Sequence, residues 1–227
     1  MQRNHDRLRA LRLTLPVMCG YLFLGTAFGA VLAQAGFGPA WALAASTLVY
    51  AGSLQFVLVP MMAAGTSLLT VALTALMVNA RHLFYGLSYI GRFSHMGRLR
   101  PYMIFSLTDE TYSVSCGLPG EESDGVMVRI ALYDQLYWVA GSIVGALLAS
   151  SLPVDLTGID FSMTALFIVI CVERAREHGS RLAMAVGAAC ALVSLALLGP
   201  ERFLAPALAV TALVLTAADV VGKEAAA

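Results

Sequence analysis

Residues 48–57 read LVYAGSLQFV, inside an apolar run (40–64) long enough to cross a bilayer. In hydrocarbon every backbone N–H and C=O has to be satisfied within the protein. Tyr50, the Gly52-Ser53 pair and the side-chain amide of Gln55 are poor choices for an unbroken lipid-facing helix. The stretch therefore reads as a deliberate break, with the chain unwound around Gly52–Gln55. That leaves a half-helix amino end near the middle of the bilayer. Such an end carries free N–H groups and roughly +0.5 of a charge, a place for a carboxylate. Gln55 would add an amide donor.

Composition sets the class around this stretch. The chain has 227 residues, of which 59% are hydrophobic and 12% charged, and its mean hydropathy is +0.79. A soluble domain carries about a quarter charged residues. The expected fold is an all-α integral membrane protein, a polytopic helical bundle with one or two broken or re-entrant helices. Fourteen Lys and Arg balance fourteen Asp and Glu, so no net charge draws a nucleic acid, and none is expected as a partner. Cys19, Cys116, Cys171 and Cys190 have no CxxC spacing and read as small buried hydrophobes. No metal or cofactor is expected.

The apolar stretches are 13–33, 40–64, 66–90, 102–118, 127–150, 160–172, 182–198 and 203–221. The first is too long for the 7–15-residue core of a secretory leader and reads as a retained span. One membrane domain over 1–227 is expected, with 1–12 a basic cytoplasmic start and 222–227 a short tail.

Basic residues gather in three places: Arg3, Arg7, Arg9 and Arg12; Arg92, Arg98 and Arg100; Arg174, Arg176 and Arg181. The positive-inside rule puts all three in the cytoplasm. Yet three apolar stretches separate each cluster from the next, and an odd number of crossings cannot return the chain to its starting side. At least one stretch in each group should be re-entrant or split. The candidates are 40–64 and the short 102–118, which carries Asp109-Glu110 at its centre. Interrupted segments in corresponding places point to a transport site built from half-helices. A weak echo between Gly25–Gly29 and Gly141–Gly145 hints at an internal repeat, although GxxxG more often marks close helix packing. These small-residue faces are also candidate docking sites for a small subunit.

Two polar groups inside the apolar runs carry the chemistry. In VNARHLFYGLSY (78–89), Asn79, His82, Gly86 and Tyr89 share one helical face, with Arg81 and Tyr85 on an adjacent line. Arg81 either faces a partner or water inside the bundle, or snorkels at the cytoplasmic edge. In FSLTDETYSVS (105–115), Asp109 and Glu110 point about 100° apart. They form either a structural ion pair with Arg81, or a substrate-ammonium site, a proton carrier, or one carboxylate for each role; Arg81 or His82 is expected within reach of one of them. The substrate-binding candidates are Tyr50, Gly52, Ser53, Gln55, Asn79, Thr108 and Asp109. The proton-coupling or ion-pair candidates are Arg81, His82, Asp109 and Glu110. Tyr133, Asp134, Gln135 and Tyr137 lie near the start of their span and read as interfacial; Glu173 and Asp219 read as solvated. GxSxG, HExxH and a phosphate loop are all missing from the sequence, so an enzyme is not expected.

Residues 50–88, YAGSLQFVLVPMMAAGTSLLTVALTALMVNARHLFYGLS, resemble the signature region of AzlC-type branched-chain amino acid permeases, the LIV-E exporters. The pieces are an AG-x-x-QF element and an N-x-RH-x-x-x-G element, and LTDETYSV (107–114) resembles the TDE element that follows. The resemblance is strongest over 19–118 and diffuse after about 150. It implies export of valine, leucine, isoleucine or similar amino acids across the bacterial inner membrane. It also implies a small AzlD-like membrane subunit as partner. With no nucleotide motif, a proton-motive mechanism fits better than ATP coupling. An ion or water channel, or a membrane scaffold or sensor, stands as the alternative.

Overall fold

The computed structural model describes residues 2–118, 122–151 and 181–199, with isolated positions between 168 and 217; for residues 2–4, 81 and 84 it describes the backbone alone. The chain forms two compact units, Met1–Met163 and Thr164–Ala227. All elements of the described residues are helical: α1 (Gln2–Gln34), α2 (Pro39–Leu48), α3 (Gly52–Ala63), α4 (Leu68–Ser94), α5 (Arg100–Phe105), α6 (Asp109–Cys116), α7 (Asp124–Ser151) and α8 (Arg181–Leu198). Three stretches, His5–Gln34, Asp124–Ser151 and Arg181–Leu198, are long and apolar enough to cross a membrane. Leu68–Ala80 and Tyr85–Ser94, bent by 75°, make a fourth if counted as one span. Arg174 of the third basic cluster, Glu173 and Asp219 lie outside the described residues.

In the first unit α1 and α7 run parallel. Arg129 of α7 meets Asp6 of α1 at 3.4 Å, Tyr137 meets Thr14 at 3.4 Å, and Trp138 meets Tyr21 ring to ring at 5.2 Å. The two GxxxG faces form the seam. A Cβ on Gly25 would stand 2.9 Å from the Trp138 carbonyl oxygen, and one on Gly29 or Gly145 would overlap the facing backbone outright. Only residues without a side chain let two backbones approach so closely. The docking role expected for these glycines is therefore corrected, because both pairs are consumed inside the chain. Nor do they mark a repeat of α1 in α7, since each is half of one contact.

The parity problem is solved by two hairpins that enter from opposite ends. Pro39 opens α2, since its missing N–H costs nothing at a helix start. The chain turns at 49–51, and α3 then runs back until Met62 lines one cavity with Leu32 and Trp41. Gly65, with φ of +61°, makes the left-handed turn that follows. Ser67 caps α4 by accepting from the Thr70 N–H at 3.3 Å. α4 ends at the opposite end of the unit, where Arg92 reaches the Glu122 carbonyl and lies 3.6 Å from Asp124. Arg9 binds Glu122 there at 2.7 Å, so the first two basic clusters share one end, as the parity argument required. From that end α5 and α6 form the second hairpin. Its far end returns to the same place, where Leu118 packs on Ala10, Val126 and Ile130. A long helix followed by a broken hairpin thus occurs twice, in inverted sense.

The first break falls at 49–51, slightly before the expected Gly52–Gln55. Tyr50 takes φ of +43° and Ala51 is extended (φ −139°, ψ 92°), whereas Gly52 and Ser53 already belong to α3. A left-handed Tyr is strained by about 1–2 kcal/mol, and such strain collects at functional sites.

Candidate functional site

The tips of the two hairpins meet in the interior of the unit. The Tyr50 ring lies 6.1 Å from that of Phe105. Beside them is a cavity of about 290 Å³ lined by both tips and by α4. Leu76, Leu83, Ile104 and Leu107 supply its apolar wall, and Tyr50, Asn79, His82 and Thr108 its polar one. The Asn79 Oδ1 and the Tyr50 hydroxyl are both buried with no hydrogen-bond partner among the described residues. A buried polar atom without a partner costs about 1–3 kcal/mol, so these two are free to bind a polar guest. The volume lies at the lower end of the usual range for ligand pockets.

Four of the expected residues are thus brought together here: Tyr50, Asn79, His82 and Thr108. Gln55 is placed elsewhere. Its amide donates to Ser46 Oγ at 3.2 Å and accepts from Trp138 Nε1 at 2.9 Å, while Ser46 donates to Ser142 at 2.8 Å. This fully buried network ties the first hairpin to α7. A Cβ on Gly52 would stand 3.1 Å from the same indole, and Ser53 beside it in the chain is buried. The Arg81 side chain lies outside the described residues.

The two acids diverge, as neighbours on a helix should. Tyr85 donates to Asp109 Oδ1 at 2.7 Å, its ring stacked on Tyr112 at 4.3 Å and meeting His82 edge-on at 5.7 Å. Glu110 instead accepts from the Tyr21 hydroxyl at 2.6 Å, in the short range of charge-assisted bonds. Thr108 caps α6 by accepting from the Thr111 N–H, so both acids sit in the first turn, where the helix dipole favours negative charge. Among the described residues no group of three His, Cys, Asp or Glu is gathered that could hold a metal ion.

Asp134 is the functional candidate that the sequence reading missed. Expected at the interface, it is 0% exposed. Thr111 Oγ1 donates to its Oδ2 at 2.9 Å, and its Oδ1 has no partner among the described residues. Counting from Asp124 puts it ten residues into α7, about 15 Å from the helix start. The error came from reading the apolar run as beginning at 127 with the membrane surface just before it.

Broken hairpins that meet tip to tip around an amphipathic cavity define a helical membrane protein built for passage of small solutes. The chain belongs to the AzlC family, whose model, described as AzlC protein, matches residues 16–152. The branched-chain amino acid transport protein AzlC of Bacillus subtilis is 34% identical over 198 residues, covering 86% of this chain and 78% of that protein. An uncharacterized membrane protein of Helicobacter pylori J99 is 38% identical over 218 residues, 93% of this chain and 96% of that one. The inner membrane protein YgaZ of Escherichia coli K12 is 32% identical over 167 residues, 68% and 67% of the two chains. No solved structure matches the chain.

Proposed function

We propose that this protein is a secondary carrier that exports branched-chain or similar aliphatic amino acids across the bacterial inner membrane, driven by protons. The observation that carries the reading is the cavity at the hairpin tips. Its wall of Leu76, Leu83, Ile104 and Leu107 suits an aliphatic side chain, and Tyr50, Asn79, His82 and Thr108 suit a zwitterionic head. Membership of a family that includes a branched-chain amino acid transport protein supports the substrate class.

In this reading the substrate carboxylate lies toward the amino end of α3, where Ala51 offers no side-chain cap to Gly52 and Ser53. Asp109, the residue after the cavity-lining Thr108, draws the ammonium group, and Glu110 carries the proton, with Arg81 and His82 setting its charge. A basic amino terminus in the cytoplasm and a small AzlD-like subunit complete the picture. Gln55 supports the site through α7.

Reconstitution tests the reading. Proteoliposomes holding the protein with its companion subunit should show saturable counterflow of labelled leucine, isoleucine or valine, and net efflux driven by an imposed pH gradient. Conductance without counterflow would make the protein a channel instead.

A further inference from the structure

Five oxygen-bearing side chains from three helices and one hairpin tip form an unbroken line through the centre of the unit. Glu110 Oε2 and the Tyr21 hydroxyl are 2.6 Å apart, Tyr21 and Thr108 2.9 Å, Thr108 and Thr111 3.2 Å, and Thr111 and Asp134 2.9 Å. Tyr21, Thr108, Thr111 and Asp134 are all buried, so bulk water does not compete for these bonds.

Hydrogen counting fixes what such a line holds. Each hydroxyl has one hydrogen to donate, which gives three hydrogens for four links. With both carboxyls ionised one link is left without a hydrogen. With both protonated there is one hydrogen too many. A single carboxyl proton fills every link, and it does so in two ways. When Glu110 holds it, donation runs from Glu110 through Tyr21, Thr108 and Thr111 to the Asp134 carboxylate. When Asp134 holds it, every bond points the other way.

We propose that Glu110, Tyr21, Thr108, Thr111 and Asp134 form a proton wire that stores one proton and passes it between the two carboxyls. In transfer, Glu110 gives its proton to the Tyr21 oxygen, Tyr21 gives its own to Thr108, Thr108 to Thr111 and Thr111 to Asp134. Each hydroxyl ends with one hydrogen again, now pointing the other way, and the negative charge has moved from Asp134 to Glu110. Among the described residues, the groups facing the wire include Tyr50 at the first hairpin tip, within electrostatic reach of Asp134 and Glu110 and beside Thr111, and Tyr102 on α5, within reach of Asp134. From α4 come Tyr85, paired with Asp109, and His82 against Tyr85. Thr108 belongs to the wire and also lines the cavity, so a guest there touches the proton path directly. That coupling role rests on the carrier reading above, whereas the stored proton does not.

Infrared spectroscopy of the detergent-purified protein tests the wire without any transported solute. Wild type at neutral pH should show one buried carboxylic-acid C=O band that Asp134→Asn and Glu110→Gln each abolish, because an amide at either end supplies the missing hydrogen. Thr111→Ser should keep the band and guards against misfolding as the cause of its loss. A band that survives either amide substitution, or its absence from wild type, would overturn the proposal. In proteoliposomes carrying a trapped pH dye, Thr111→Val should cut leucine-driven proton flux at least tenfold while leucine counterflow persists. Undiminished flux would overturn the proposal. If wild type moves no leucine, the carrier reading fails and the infrared result still decides the wire.

Discussion

Asn79 on α4 and Tyr50 at the tip of the first hairpin face one cavity, and each buries a polar atom that has no hydrogen-bond partner among the described residues. Such groups weaken the empty protein and strengthen a complex that satisfies them. Asn79→Leu keeps the number and branching of the side-chain heavy atoms and removes the unpaired amide. Thermal stability should hold or rise by about 1 kcal/mol. Half-saturation for leucine counterflow should rise about 10–100-fold, the loss of one bond to a charged partner. Unchanged half-saturation would place the substrate elsewhere.

Tyr50→Phe makes the companion case from the other hairpin. The ring keeps its place against Phe105 and the hydroxyl alone is lost, so stability should change by less than about 1 kcal/mol. Tyr50→Gly relieves the left-handed strain of about 1–2 kcal/mol but gives up a buried aromatic ring worth about 3–5 kcal/mol. Packing wins, and the Gly variant should melt lower than wild type. Differential scanning fluorimetry of both variants checks the ordering; a Gly variant more stable than wild type would mean that strain at Tyr50 outweighs the packing of its ring.

The seam between α1 and α7 predicts where the chain cannot tolerate bulk. Gly29→Leu or Gly145→Leu should abolish folding, as the new side chain meets facing backbone that has nowhere to go. Gly25→Ala, whose Cβ would meet atoms at 2.9–3.3 Å, should fold with a loss of about 1–3 kcal/mol. Its association with a small companion subunit should be unchanged when measured by co-purification. Selective loss of association with full stability would return the glycines to the role first expected of them.

Much of this architecture was legible in the sequence because charge and parity constrain topology more tightly than local propensity does. Arginine clusters on one side and odd numbers of apolar runs forced two interruptions, and YAGSLQ and LTDE marked them. Less legible was which polar residues face inward. Gln55 and Asn79 are both amides in apolar runs, yet one is saturated by Ser46 and Trp138 while the other lines the cavity. That difference is set in part by a contact 83 residues away along the chain, the one to Trp138. Asp134 was missed for a related reason. Its partner Thr111 belongs to a hairpin whose re-entry carries the polar tip deep into the unit, alongside the middle of α7.

The end of the unit that gathers Arg9, Arg92 and Glu122 supplies a prediction in pH. Arg9 donates to Glu122 at 2.7 Å, and that hydrogen bond holds the Glu122 carboxyl below its ordinary value, with Arg9 and His5 adding attraction. The unfolded chain has no such partner, so its Glu122 titrates near the usual 4.3 or so. A carboxyl whose folded value is depressed stabilises the fold above the unfolded value and loses that contribution as pH falls through the folded one. Wild type should therefore melt progressively lower as the pH is taken down from about 5. Glu122→Gln should flatten part of that acid-side decline and leave the neutral melting temperature within a few degrees of wild type, because an ion pair at the surface adds little to stability. Salt should shrink the difference, since about 10 Å of screening length at 0.1 M suffices to weaken surface attraction. An acid-side slope identical in the two proteins would mean that other carboxylates carry the whole decline.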